Sequence, residues 1–429
     1  MCYVSRYLTQ LGYIVRIACG GKDYPGTPSQ PKWSSHNLDF EGIPVSRIVR
    51  NTSRMELMDS YVRQDPERYA LWQKLFFRFE PDLVFTVGRS PALMGDVEKI
   101  ARIAQVPVVA TLIHPDQVCP KGTRFDAWGN GCMRTLDSEI CGECVVRSSS
   151  PLPGLNHILN FHPAAAMTSI LPKRGLFGRL QTAFKLPSMV AGFVQYWDEL
   201  RDTVSVFVVH SQEAMELVLA NGVPIDKIRF SVPGLEPRTI APRIRKLFRP
   251  VRFGFVGRPC AEKGVHTLLD AWQLLEPGID VELHLWGNPQ SGEPDIVKRI
   301  ETLVAIDTRV KFHGPFARNQ TDAVYDSMDV LVVPSLWFDN CPFVISEAFA
   351  AGVPAVGSDF GGIKSMIRNG VDGLLAPMGD AQALGNILIQ LATDPEMTQN
   401  LTDNVRPPRD AADHVKDLRE LFDSLCAVI

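Results

Sequence analysis

The 429-residue chain is 45% hydrophobic and 21% charged, which reads as globular with enough apolar material for the cores of two or three domains. A formal net charge of −4 argues against a general nucleic-acid binder, and without a run of about 18 apolar residues no spanning helix is expected. Nine cysteines, an odd number in a long chain with no signal-peptide pattern, point to a reducing compartment, so a cytoplasmic protein without a disulfide framework is expected.

In chain order, MCYVSRYLTQLGYIVRIAC predicts a helix closing near Gly12 and a strand over residues 13–18. Residues 81–87 and 106–113 are short apolar strands separated by a helical pattern over 92–103, the alternation of a doubly wound α/β domain. The second strand ends in His114-Pro115-Asp116, where the histidine is either a structural residue or a ligand contact. Cys119, Cys132, Cys141 and Cys144 follow at C-x12-C-x8-C-x2-C spacing. Four thiolates could close a tetrahedral structural zinc site, and loose or buried free thiols are the alternative.

No acidic residue occurs from Val145 to Trp197, while Arg147, Lys173, Arg174, Arg179 and Lys185 lie among apolar residues. The interleaved segment GLFGRLQTAFKL at 175–186 is read two ways, as a helix lying in a membrane headgroup layer or as one packed on the core. A strand at 204–209, a helix over 213–220 and a strand near 228–232 close the first domain. Residues 236–250 form a linker with three prolines, four arginines and a lysine, and no acid after Glu236. Beyond it RFGFVGRPCAEKG reads as strand, loop and helix start. Its glycines admit close backbone approach, and two cations beside a helix dipole suit a diphosphate. Strands at 281–286, 310–316 and 329–333 continue the second sheet.

The richest stretch is residues 334–362, PSLWFDNCPFVISEAFAAGVPAVGSDFGG. Asn340 reads as an N-cap and Pro342 as a first-turn proline of a helix that Gly352 stops. Asp339 then sits just before the helix, with Glu347 about two turns in, a spacing that reaches opposite ends of one elongated ligand. The preceding apolar residues 330–333 deliver this loop to the carboxyl edge of a parallel sheet.

P-S, an acidic residue, N-x-P, E-A-x-A-x-G-x-P and a later G-G resemble the signature of retaining glycosyltransferase family 4, and G-R-x3-E-K-G at 257–264 resembles its second signature. Aspartate stands at 339 where the family pattern has glutamate, and Ser365 stands where G-G-x-P-E would place one. The resemblance implies an α/β protein of GT-B architecture, two Rossmann-like doubly wound domains facing a cleft. The N-terminal domain, 1–235 with a cysteine-rich insertion at 119–144, reads as lacking the family's first strand and glycine-rich turn, so Met1 reads as a late start. The linker 236–250, a nucleotide-sugar domain at 251–405 and a terminal helix at 406–429 that crosses back complete the expected organisation.

The function so implied is retaining transfer of a sugar from a UDP- or GDP-sugar donor to a glycan or lipid-linked acceptor in surface polysaccharide or glycolipid synthesis. Contact with the inner face of the membrane would be peripheral, and nucleic acid is not a partner. By resemblance Arg258 and Lys263 bind the diphosphate, Glu347 the ribose, Asp339 the sugar hydroxyls and His114 the sugar near the reacting centre. Gly257, Asn340, Cys341, Pro342 and Phe343 line the donor. No D-x-D carboxylate motif is present, so cationic side chains are expected to serve the leaving group with no cofactor required for catalysis. An epimerase or phosphorylase of the same fold, or a degenerate nucleotide-sugar-binding partner, are the alternatives.

Overall fold

The computed structural model describes residues 2–22, 33–50, 65–88, 95–112, 115–127, 130–149, 175–238 and 250–427, and of residues 175–187 the backbone. Two compact units divide the chain. The first gathers Met1–Val209, Met215–Ser231 and Val415–Ile429, and the second gathers His210–Ala214 with Val232–His414.

In the first unit the strands are β1 (Ile17–Lys22), β2 (Trp33–Phe40), β3 (Ile43–Arg50), β4 (Val84–Val87), β5 (Val108–Thr111), β6 (Val206–Val209) and β7 (Ile228–Phe230). They form two sheets. A three-stranded sheet runs β1-β3-β2, with β1 parallel to β3 and β2 antiparallel to it, and a four-stranded parallel sheet runs β4-β5-β6-β7. The β2–β3 hairpin turns on Glu41 and Gly42, both at positive φ. A two-residue turn of that kind matches the twist of the flanking strands. The first strand begins at Ile17, four residues after the expected Tyr13, because the helix Cys2–Gln10 is followed by the turn at Leu11-Gly12 and then irregular chain. The residues of β5, three of them apolar, and the wholly apolar run of β6 are buried throughout, as strands covered on both faces require.

The helix Gly175–Thr203 includes the basic-apolar segment at 175–186, whose side chains lie outside the described residues. His114 and most of the linker, 239–249, also lie outside them.

In the second unit β8 (Val251–Val256), β9 (Val281–Trp286), β10 (Val310–Gly314), β11 (Val330–Val333), β12 (Ala355–Ser358) and β13 (Gly373–Ala376) make one parallel sheet in the order β10-β9-β8-β11-β12-β13. Alternate residues of β11 serve opposite cores. Val330 and Val332 pack with Phe253, Leu268, Trp272 and Leu283, whereas Leu331 and Val333 pack with Met328, Ile345, Phe349 and Ile363. Each such side chain removed from water contributes about 1.5–3 kcal/mol. The sheet is built outward from β8 in one direction and from β11 in the other. That reversal places a crevice beyond the carboxyl ends of β8 and β11, where open parallel sheets take their ligands.

Candidate active site

Two loops meet at this crevice. After β8, Gly257 donates its N–H to Trp286 O at 3.0 Å, and a single 3₁₀ turn, Ala261–Lys263, leads into the helix Val265–Trp272. Gly264 joins them at φ +67°, and a Cβ there would stand 1.8 Å from the carbonyl oxygen of Pro334 in the second loop. Glycine therefore lets the two loops touch backbone to backbone. Arg258 extends from the first loop as an exposed side chain, and its guanidinium makes no hydrogen bond or ion pair among the described residues.

The second loop, after β11, carries Asp339, which is 8% exposed. Three donors converge on one of its carboxylate oxygens, Oδ2: Lys263 Nζ at 2.5 Å, Trp337 Nε1 at 3.1 Å and Ser335 Oγ at 3.4 Å. The Lys263 ammonium also lies 4.9 Å from the centroid of the Trp337 ring, a cation–π contact. No hydrogen bond among the described residues engages Asp339 Oδ1. The loop is fixed behind Asp339, whose carbonyl accepts Gly362 N at 2.8 Å. At Gly362 a Cβ would sit 1.5 Å from the carbonyl oxygen of Asn340.

Asn340 is not the helix cap. The helix is Phe343–Ala350, Pro342 occupies the N-cap position with extended ψ of 115°, and no side chain caps it. Asn340 is 4% exposed, and its Oδ1 accepts the Ser211 hydroxyl at 2.6 Å. Ser211 Oγ in turn accepts Ala214 N at 3.1 Å, so Asn340 is committed to fixing the loop. Burial, then the Asp339 charge, pushes the Cys341 thiol up to about 12, which keeps it a neutral packing group. Phe343, at the first helical position, is 38% exposed. The helix ends as expected, with Gly352 at φ +70° just past its C-cap.

Glu347 lies on that helix, where its Oε2 accepts the Tyr325 hydroxyl at 2.6 Å. Burial holds the Glu347 carboxyl above its ordinary value, against the opposing pull of Tyr325 and Arg318. The Tyr325 hydroxyl is raised well above its usual range by burial and by the neighbouring carboxylate. Ser365 bonds the carboxylate of Glu213 at 2.5 Å.

Three features escaped the sequence reading. Trp337 and Ser335 are polar partners of Asp339, although S-L-W-F reads as an apolar lead-in. Tyr325 orients Glu347 from 22 residues upstream. At the ends of β9 and β10, Trp286 and His313 stack with ring centroids 4.7 Å apart at 15°, and His284 stacks on His313 at 5.1 Å. The period-two alternation of His284 and Trp286 on one face of β9 was the available signal.

The four cysteines line one cavity of about 30 Å³, together with Lys121 and Arg124. All four are free thiols. Among the described residues, the donor atoms that lie within 4.8 Å of one another belong to Cys260, Glu262 and Glu293. That trio is structural on its geometry, since Glu293 Oε1 accepts Ala261 N at 2.9 Å and so holds the 3₁₀ turn.

Residues 250–394 match the family described as Glycosyl transferases group 1. The chain is 31% identical over 185 residues to the amylovoran biosynthesis glycosyltransferase AmsK of Erwinia amylovora, a match covering 41% of this chain and 44% of that protein. It spans about half the length of the curated relatives it matches. Among solved structures it is similar to sucrose-phosphate synthase from Thermosynechococcus elongatus, with a TM-score of 0.62 and 18% identity over 100% of this chain and 92% of that one. It is also similar to Anabaena HepE in complex with UDP and glucose, with a TM-score of 0.55 and 19% identity over 89% of this chain and 87% of that one. These likenesses show the fold, which is GT-B.

Proposed function

The chain carries a group 1 glycosyl transferase domain at residues 250–394, and from that premise we propose that it transfers a sugar, with retention, from a nucleotide-diphosphate sugar to a glycan or lipid-linked acceptor in polysaccharide synthesis. The observation that carries this reading is the Asp339 carboxylate, with Oδ2 saturated by Lys263, Trp337 and Ser335 and Oδ1 left for a ligand hydroxyl. The polysaccharide setting is supported by the name of the Erwinia relative, and a uridine diphosphate donor by the UDP bound to the Anabaena protein.

The chemistry follows from charge. Cleaving the sugar–phosphate bond leaves an oxocarbenium-like sugar and adds negative charge to the departing diphosphate, so cations already in place lower the barrier. Arg258 stands available to the diphosphate. Lys263 is held beside it by Asp339, and a diphosphate competes for the same ammonium. As Lys263 turns to phosphate, the Asp339 carboxylate gains acceptor capacity for the sugar hydroxyls. Binding and sugar positioning are thereby coupled in one exchange. Glu347 accepts the ribose hydroxyls, and the exposed His313 ring, backed by the buried Trp286, offers a flat face to the base. His114, assigned by resemblance alone, polarises the sugar. The acceptor attacks from the face the diphosphate leaves, and the diphosphate takes the acceptor's proton. Cations and a helix terminus do the work of a divalent ion in this scheme.

The test is a panel of UDP- and GDP-sugars with glycan and lipid-linked acceptors, scored by nucleotide diphosphate release and by the anomeric configuration of the product. Acceptor-dependent release with the anomer retained, persisting in EDTA and lost in Lys263→Ala, is expected. Release or isomerisation without an acceptor would favour an epimerase or phosphorylase instead.

A further inference from the structure

We infer that Cys119, Cys132, Cys141 and Cys144 bind one zinc ion as a structural tetrathiolate whose net charge is neutralised by Arg124 and Lys121. Three local devices present the thiols. Cys119 opens a tight turn in which Gly122, at φ +77°, donates its N–H to Cys119 O at 2.9 Å. An antiparallel bridge between Phe125 and Gly131 folds the next segment back, so that Cys132 N donates to Arg124 O at 2.7 Å. Cys141 and Cys144 stand three residues apart on the helix Ser138–Ser149 and therefore share a face. Asp137 caps the start of that helix, accepting Glu139 N at 2.9 Å and Ile140 N at 2.7 Å through Oδ1.

The second observation is the cation buried among them. Arg124 is 2% exposed, its two terminal nitrogens donate to Val118 O at 3.2 Å and Arg134 O at 2.8 Å, and its Nε is buried with no hydrogen-bond partner. No carboxylate among the described residues forms an ion pair with it, and Cys119, Cys132, Cys141 and Cys144 line the same cavity. A buried guanidinium without a counter-charge is costly. Lys121 lines the same cavity, and its Nζ donates to Phe125 O at 2.8 Å. One zinc ion with four thiolates carries a net charge of −2, and Arg124 with Lys121 supplies +2. Binding releases the four thiol protons and involves no change of oxidation state. The sulfurs do not form a group within 4.8 Å of one another, and a tetrahedron with Zn–S bonds of about 2.3 Å sets them roughly 3.8 Å apart. Rotation of the thiols into the cavity they line completes the site.

The experiment is elemental analysis of the whole chain, purified without chelator or added zinc, combined with thiol alkylation and intact-mass measurement. About one zinc per chain is expected, with four cysteines protected from alkylation until the metal is removed and no mass deficit from disulfides. Cobalt substitution of the wild type should give the visible spectrum of a tetrahedral tetrathiolate, which keeps the test decisive where Cys141→Ser with Cys144→Ser fails to fold. Arg124→Met should weaken zinc in a chelator competition by about 10- to 100-fold, the usual cost of losing a group that supports metal ligands. Substoichiometric zinc with freely alkylated thiols, cysteines paired as disulfides, or zinc retained in the double serine variant would each overturn the site. Unchanged affinity in Arg124→Met would overturn the charge assignment.

Discussion

Asp339 concentrates three donors on one oxygen atom and leaves the other open, so its charge holds Lys263 and Trp337, and in the proposed reaction the open oxygen takes a sugar hydroxyl. Asp339→Asn keeps the shape and removes the charge. A hydrogen bond to a charged group is worth about 1.5–3 kcal/mol, so turnover should fall on the order of 10- to 100-fold, with Asp339→Glu falling much less. Diphosphate-release kinetics check this, and equal rates with asparagine would make Asp339 a bystander. Lys263, Asp339 and Glu347 were legible one by one, because each sits in a short motif. The Lys263–Asp339 contact was not, since it joins positions 76 residues apart and depends on β8 and β11 being neighbours. Trp337 was missed because an indole in an apolar run reads as core, and only its N–H reveals the polar role.

At the level of elements, the strand–loop–helix units stood out because the runs at 251–256 and 330–333 are apolar without interruption and the glycines punctuate them. The cap of the Phe343–Ala350 helix was misread. Asn with a proline in the turn that follows is a common N-cap pattern, but here the chain beyond Asp339 is pinned by Ser211 and by Gly362, and Pro342 takes the cap position instead. Tertiary contacts decided what local propensity left open. The same backbone closeness makes Gly264 unforgiving. Gly264→Ala adds a methyl that would overlap the Pro334 carbonyl, at a φ that side chains resist. It should cost more than about 2 kcal/mol and weaken donor binding as the loops part. Thermal unfolding together with a donor titration tests both, and an unchanged midpoint would show that the loops do not need this contact.

On the scale of the whole molecule, the doubly wound plan was readable from strands alternating with helical patterns, and the sheet of the second unit follows it strand for strand. The first unit was less legible. Its strands divide between a mixed three-stranded sheet and a parallel four-stranded one, and β2, with residues 35–39 exposed, lacks the apolar alternation that announces a strand. Stability of the fold as a whole should respond to Glu347, whose carboxyl is raised above its ordinary value chiefly by burial. The neutral form is therefore the one the fold favours, so this group's contribution is fully present below its unfolded pKa and is lost as pH rises through the raised folded value. Glu347→Gln keeps an acceptor for Tyr325 and removes the loss. The variant should unfold at a higher temperature than the wild type at neutral pH, match it in acid, and bind donor more weakly. A lower midpoint at neutral pH would mean that the Tyr325 bond outweighs the burial.

The Trp337 ring carries an ammonium over its face and a carboxylate on its N–H, so its excited state feels both charges. When a diphosphate draws Lys263 away, the field across the indole changes, and its emission should shift in step with occupancy. On the proposed function, the ring would serve as an optical gauge of donor binding. Titrating UDP should move the intrinsic fluorescence, and Trp337→Phe should remove the part of the shift that comes from this ring while leaving the response of Trp286 beside the base.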